Sequence, residues 1–362
     1  MSQIFITGGA GFIGKRLSLS LRNAGHSVTV YDNLHRQVHT DPDKTVSQLR
    51  VAGVKFIFGD VRDSAALTDA VITSRCHTIV HLASETGTGQ SYDLPAHYCD
   101  VNVNGTAHVI EAVRAAYKAN INVGRVLLAG SRAVYGEGAC IDVLGQRVTA
   151  VPRLSADLAA GDFSPKDSAG NRLTPIPSRA TTTAPAPASI YASTKLMQEY
   201  LLLQGFEKSS VEVGILRLQN VYGVGQSLNN PYTGVLSIFA QQLLNGKNLN
   251  IYEDGDIVRD FVYVSDVVAA FHSFCEIERV PTDIVDIGTG VGSTIIEIAR
   301  MMIDKLGLTG NRLQITGEYR PGDIRHAVAD ISSAQRSLGW TPQISLEMGV
   351  GALIDWAKAS TP

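Results

Sequence analysis

The sequence predicts an α/β protein built on a doubly wound parallel sheet with a smaller C-terminal lobe, and three observations carry that expectation. Short apolar runs alternate with amphipathic segments through the first third of the 362 residues. A glycine-rich turn joins the first run to the first amphipathic segment. At 44% hydrophobic and 18% charged, the chain has the composition of a protein with a large core.

The runs Ile4–Ile6, Val28–Tyr31, Lys55–Phe58, Thr78–Leu82 and Arg125–Ala129 read as buried strands, because a strand covered on both faces has no polar side to alternate with. Helical patterns lie between them. Leu17 and Leu21 are one turn apart ahead of Gly25, where a glycine ends a helix, and Val101 to Ala119 carries a similar apolar stripe. Strand, helix, strand in that order gives parallel pairing. Residues 139–189 break the pattern with clustered prolines and the run Thr181-Thr182-Thr183. They read as a surface insertion, either a disordered linker or a flap over the active site.

Charge and cysteine usage exclude several classes of function. A net charge of −3, from 31 Lys+Arg against 34 Asp+Glu, gives no field for nucleic acid or an anionic membrane. The first residues carry no basic patch ahead of an apolar core, and no stretch approaches the ~18 apolar residues of a membrane span. Cys76, Cys99, Cys140 and Cys275 are too widely spaced for a disulfide framework or a zinc ribbon. A soluble cytoplasmic protein without a metal is expected. His35 and His39 have helical spacing but fall in a polar loop and read as solvated; His81, ending a buried strand, reads as core.

The turn is Thr7-Gly8-Gly9-Ala10-Gly11-Phe12-Ile13-Gly14, directly after a strand and before a helix. Its backbone amides and the helix N-terminus can receive a pyrophosphate only if no Cβ intervenes. Asp32 closes the second strand eighteen residues after Gly14. A carboxylate there accepts hydrogen bonds from both ribose hydroxyls of NAD and repels the 2′-phosphate of NADP, so NAD is the expected cofactor. His35 and Arg36 just downstream are the only opposing signal. Asn33, Asp60-Val61 and Leu82-Ala83-Ser84 lie at the carboxyl ends of strands, where such a sheet leaves its ligand crevice. Asp60 also reads as a helix N-cap.

A second motif, Tyr191-Ala192-Ser193-Thr194-Lys195, places a phenol and an ammonium on one helical face. The lysine is expected to lower the phenol pKa from about 10 and make the phenolate a usable base. Upstream, the strand ending in Ser131 supplies a hydroxyl for the same substrate oxygen. Together the three read as an alcohol-oxidising site. No G-x-S-x-G surrounds Ser131, so it does not read as a hydrolase nucleophile.

With these motifs in place, the chain resembles the extended short-chain dehydrogenase/reductase family, in particular its sugar-nucleotide epimerases and dehydratases, nearly end to end. The resemblance implies a Rossmann-like domain over 1–219 with 257–288, carrying 139–189 as an insertion, and a sugar-nucleotide-binding domain over 220–256 with 289–362. It implies Ser131, Tyr191 and Lys195 as the catalytic trio and Gly8, Gly11 and Gly14 as the cofactor turn. Asn220, Arg259 and Arg320 with Asp323 match positions that hold a nucleotide diphosphate in relatives, a task suited to guanidinium forks. Surface pairing of the arginines with Asp260 and Asp323 is the competing reading. Tyr252 matches an aromatic against the base, or else packs in the core. Dehydratases resembled here place Asp-Glu after the catalytic hydroxyl residue; this chain has Arg132 and Ala133, which disfavours elimination.

Runs around Glu85-Thr86-Gly87-Thr88-Gly89-Gln90-Ser91, Ser131-Arg132-Ala133-Val134-Tyr135-Gly136-Glu137-Gly138 and Asn230-Pro231-Tyr232-Thr233-Gly234 are similar to a bacterial subgroup of 4-epimerases acting on dTDP-linked 6-deoxysugars. They imply a sugar pocket that includes Thr86, Gly87 and Arg132, and conversion of dTDP-L-rhamnose to dTDP-6-deoxy-L-talose. The subgroup's cysteine pairs are absent from the insertion, where Cys140 stands without a near partner. Relatives also imply a homodimer through the helices around Val101–Ala119 and Tyr191–Phe206. A reductase or dehydrogenase on a related sugar nucleotide, and a non-catalytic NAD-binding module, are the alternatives.

Overall fold

The computed structural model describes residues 1–227, 234–320 and 322–360. Its first segment runs β1 (Gln3–Thr7), α1 (Phe12–Asn23), β2 (Ser27–Asp32), α2 (Pro42–Val51), β3 (Lys55–Phe58), α3 (Ser64–Ser74), β4 (Thr78–His81) and, further on, β5 (Arg125–Ser131). All five expected apolar runs are strands. Each of β1–β2, β2–β3, β1–β4 and β4–β5 pairs in parallel. In the seven-stranded sheet the order is Val285–Ile287, Glu212–Leu218, β5, β4, β1, β2, β3. The chain therefore reverses direction of winding between β1 and β4, and a sheet of this kind binds its ligand at the carboxyl ends of the strands flanking such a switch point.

Local chemistry explains how the elements begin and end. Leu17 and Leu21 are fully buried on the inner face of α1. Gly25, at φ +91°, ends α1: its N–H bonds Arg22 O and the next N–H, of His26, bonds Leu21 O, the paired pattern a left-handed glycine allows. Asp63, not Asp60, caps α3 by accepting from Ala66 N. The stripe expected as one helix over 101–119 is divided: Cys99–Asn104 is a π-helix and Gly105–Lys118 an α-helix. The wide turn carries Asn102 into the interior, where it is fully buried.

The chain forms two compact units, and their boundaries differ from those expected. The first comprises Met1–Ser131, Ile190–Arg217 and Val267–Val285; the second comprises Arg132–Ser189, Leu218–Asp266 and Asp286–Pro362, and is no smaller than the first. The insertion belongs to the second unit because its backbone is bonded there: Ser178 N donates to Val328 O and Asp330 N to Ser178 O. Residues 257–266 belong there for the same reason. Val258–Arg259 pairs with His326–Ala327, and Phe261–Tyr263 with Asn220–Tyr222.

The insertion is not a disordered linker. Ala139–Ile141 pairs antiparallel with Arg147–Thr149 and with Thr174–Pro175 around a small core of Cys140, Ala150 and Leu173. Lys166 Nζ ties it further, to Asp157 at 2.9 Å and Asp162 at 3.0 Å. The rest of the second unit packs the helices Val235–Leu244, Ile295–Lys305 and Leu346–Ser360 around Leu236, Met302 and Leu353. Except for Gly234, the expected pocket run Asn230–Gly234 lies outside the described residues.

Within the first unit, Arg217 Nε and Nη2 fork onto the two carboxylate oxygens of Glu199, at 3.0 and 2.6 Å, with both side chains almost wholly buried. Removing one partner strands a charge in a medium that cannot solvate it. Arg217→Met is expected to lower unfolding free energy by ~3–5 kcal/mol in urea titrations, and Glu199→Leu in the same chain to restore most of it.

Candidate active site

The glycine turn after β1 fits a dinucleotide phosphate by what it leaves out. A Cβ on Gly8, at φ +67°, would stand 2.6 Å from Ala83 N, and one on Gly14 would stand 2.7 Å from Gly9 Cα. The turn and the end of β4 thus approach backbone to backbone. Gly11 begins α1 with no side-chain cap, so the first-turn amides of Phe12 and Ile13 meet no competing side-chain acceptor of that kind. Leu82 N bonds Thr7 O at 3.0 Å, and Ala83 N reaches Thr7 Oγ1 at 3.3 Å.

Asp32, buried at the end of β2, holds this turn in place. Its Oδ2 accepts from Ala10 N at 3.0 Å and its Oδ1 from Leu34 N at 2.8 Å. A carboxylate has about four lone-pair sites, so ribose hydroxyls can still be received. His39, expected in solvent, instead has a side chain 5% exposed with Nε2 3.5 Å from Asp32 Oδ1. His35 and Arg36 are exposed. Asn33 Nδ2 donates to Asp60 Oδ2 at 2.9 Å. Burial works to raise the Asp60 carboxyl, but the Arg62 fork at 2.8 and 3.0 Å overrides it and holds the group below the usual carboxylate range. Val61 is buried, and its carbonyl lies 2.8 Å from His108 Nδ1.

Ser131, Tyr191 and Lys195 all belong to the first unit, and Ser131 hydrogen-bonds the Tyr191 phenol. Tyr191 is fixed from several sides. Its N–H donates to Ser91 Oγ at 3.1 Å, its carbonyl accepts from Thr194 Oγ1 at 2.8 Å, and the Tyr98 ring meets its ring edge-on at 6.4 Å. Lys195 hydrogen-bonds other side chains. Its Nζ donates to Gln198 Oε1 at 2.5 Å and reaches Ser84 Oγ at 3.5 Å. Burial pushes Tyr191 above its ordinary value, only partly offset by the Ser131 bond, and holds Lys195 down at about 7 against the pull of Glu199. Desolvation outweighs attraction because both groups lie inside the protein.

Several site residues escaped the sequence reading. Asn102 accepts from Ser84 Oγ and Glu85 N through Oδ1, at 3.0 and 2.8 Å, and donates to Thr194 Oγ1 at 2.9 Å. It links the end of β4 to the Tyr191 helix. A buried-face asparagine in an apolar helical stripe was the available signal. Tyr98 donates to Thr86 O at 2.7 Å, and Gly87, at φ +116°, opens the short helix that carries Ser91. Gln198 donates to Thr106 Oγ1 at 2.8 Å, completing a polar chain that also contains His81.

In the second unit the two arginines have separate partners. Arg259 Nη2 lies 2.6 Å from Asp323 Oδ1, so this part of the surface-pairing reading holds. Arg320 pairs with neither aspartate: its guanidinium lies 4.5 Å from the centre of the Tyr252 ring and donates to Tyr252 Oη at 3.2 Å. Tyr252 is half-buried beneath it and not part of the core. Asp260 accepts from Thr289, Gly290 and Ala329 amides instead of an arginine. Asn220 N bonds Asp260 O at 3.0 Å. Arg132 is buried, with Nη2 donating to Gly136 O at 3.0 Å.

A sheet with this switch point, a Cβ-free phosphate turn and a hydroxyl-phenol pair define a dinucleotide-dependent enzyme acting on an alcohol. The chain belongs to the NAD dependent epimerase/dehydratase family, whose model matches residues 4–288, and its cofactor is NAD. A dTDP-L-rhamnose 4-epimerase from Burkholderia thailandensis is 40% identical over 98% of this chain and 94% of its own length. A putative UDP-glucose 4-epimerase from Methanocaldococcus jannaschii is 28% identical over 98% of each chain. Among solved structures, the UDP-glucose 4-epimerase of Thermus thermophilus in complex with NAD aligns with a TM-score of 0.78 at 26% identity, over 99% of both chains. Among the described residues no helix is long and apolar enough to cross a membrane.

His81 sits between Thr7 Oγ1 at 2.7 Å and Thr106 Oγ1 at 3.0 Å, and burial, aided by the Lys195 charge, depresses its pKa to about 3. His326 in the second unit is depressed to about 4 by burial and by Arg132 and Arg259. Unfolded histidines protonate near ~6.5, so between there and these values the unfolded chain binds more protons than the folded one. Stability therefore falls as pH falls through this window. Urea midpoints at pH 7 and 5 should separate clearly, and His81→Asn should narrow the gap.

Proposed function

We propose that this protein is a nucleotide-sugar 4-epimerase that interconverts dTDP-L-rhamnose and dTDP-6-deoxy-L-talose. The observation that carries the chemistry is the Ser131 hydroxyl bonded to the Tyr191 phenol in a unit with a fitted dinucleotide turn. The substrate rests on the 40% identical relative and on the similar runs in the sequence.

Bound NAD supplies a reversible hydride acceptor and, in its oxidised ring, a positive charge. Tyr191 takes the O4 proton as the sugar alcohol becomes a ketone, and returns it when the opposite face is reduced. Ser131 holds the oxygen through both steps. Lys195, by way of Gln198 and Ser84, orders the polar groups beneath them. Arg132 and Ala133 stand where elimination would need an acid and a base, and neither a buried guanidinium nor a methyl group serves, so the ketone persists until reduced. Arg259, Arg320, Asn220 and Tyr252 hold the nucleotide diphosphate end. A guanidinium has five donors, and Arg259 can receive phosphate oxygens alongside Asp323.

The chain also pairs with a second copy through the Ile190–Phe206 helix, which exposes Met197, Tyr200 and Leu203 at three-residue spacing along one face.

Purified protein should interconvert the two dTDP-sugars in an NMR time course with no net change at the reduced-nicotinamide absorbance band; absence of a second sugar nucleotide overturns the reading. Tyr191→Phe should retain NAD and lower kcat by ~10²–10⁴-fold. In sedimentation velocity the native chain should run as a dimer and Tyr200→Glu as a monomer.

A further inference from the structure

Three side chains that the proposed reaction does not use converge within the first unit. His26 follows α1, and His272 and Glu276 lie one turn apart on the Val264–Glu276 helix. His26 Nε2 is 3.1 Å and His272 Nε2 3.4 Å from Glu276 Oε1. One donor atom from each of the three lies within 4.8 Å of the other two. We propose that His26, His272 and Glu276 form a binding site for a divalent transition metal of the zinc class, tethering the α1–β2 turn to the end of that helix.

The spacing suits such an ion. Bonds of about 2.0–2.1 Å in a tetrahedron set donor atoms about 3.3–3.4 Å apart, the scale of the two measured separations. Two imidazoles and one carboxylate favour zinc, cobalt or nickel over magnesium or calcium, which prefer all-oxygen shells. Three protein donors leave a fourth position for water. The imidazole rings stand nearly perpendicular, at 79°.

Surrounding hydrogen bonds partly prepare the ligands. His272 Nδ1 lies 2.7 Å from Ser20 Oγ; with its proton there, donating to the hydroxyl, Nε2 presents its lone pair to the metal. His26 is less prepared. Its Nδ1 accepts from Ser2 N at 3.3 Å, so ligation requires the His26 proton to move from Nε2 to Nδ1 and that long bond to be given up. This competition places the affinity below that of a closed structural zinc site. Glu276, whose side chain is 49% exposed, provides the way in for the ion. In the sequence His26 lies some 250 positions from its partners, so no local spacing marks the group.

The test titrates ZnCl2, CoCl2 and MgCl2 separately into the NAD-loaded protein, following thermal midpoint, binding stoichiometry and the visible spectrum of cobalt. Zinc and cobalt should raise the midpoint in a concentration-dependent way while magnesium does not, and cobalt should show tetrahedral d–d bands. His272→Asn and Glu276→Gln, both at partly exposed positions, should each weaken zinc binding more than about tenfold and remove the cobalt bands, leaving sugar turnover unchanged. Zinc binding of equal strength and stoichiometry in both variants, or no binding in the native chain up to ~1 mM, overturns the proposal.

Discussion

Backbone meets backbone where the turn after β1 faces the end of β4, and the arrangement of the first unit depends on that approach. Gly8 lies so close to the Leu82–Ala83 peptide that no side chain fits between them, and Gly14 lies equally close to Gly9. The contact brings Thr7, His81 and Ser84 together at the carboxyl ends of adjacent strands. It also leaves the start of α1 uncovered by side-chain caps, with Asp32 fastening the turn through Ala10 N. One close approach therefore shapes both the glycine turn and the end of β4.

A buried polar chain runs between the end of β4 and the Tyr191 helix. His81, Thr106, Gln198 and Lys195 are each nearly or fully buried, and each finds its partner within the chain. Low dielectric favours the neutral forms, which is why His81 titrates far below its usual range and Lys195 near neutrality. The phenol of Tyr191 is subject to the same desolvation in the opposite sense. Burial therefore opposes the phenolate, and the Ser131 bond offsets it only in part. Glu199 connects this interior to a second charge, Arg217, and so serves both packing and electrostatics.

The second unit solves a different problem. Beyond a small core of Cys140, Ala150 and Leu173, its insertion is tied to the rest of the unit by an ion-pair network. Arg153 forks between Glu137 at 2.9 Å and Glu253 at 2.8 Å, and Arg325 joins Glu253 at 2.9 Å and Asp254 at 2.6 Å. Such pairs are favourable only when every partner is present. Glu253 adopts φ +53° to take part, a conformation that a residue with a side chain accepts only under strong local constraint.

Sequence alone determined five of the seven strands of the central sheet, the glycine turn after β1 and the place of Asp32 at the end of β2. Buried parallel strands are written as continuous apolar runs, and a phosphate turn needs glycine at fixed spacing, so both are local properties. Tertiary structure decided what those residues do to one another. It paired Lys195 with Gln198, turned His39 inward to Asp32, gave the helix cap to Asp63, and ordered the proline-rich insertion through partners far along the chain. These outcomes depend on burial and on contacts between distant residues, and neither quantity has a period or a spacing that a linear reading can detect.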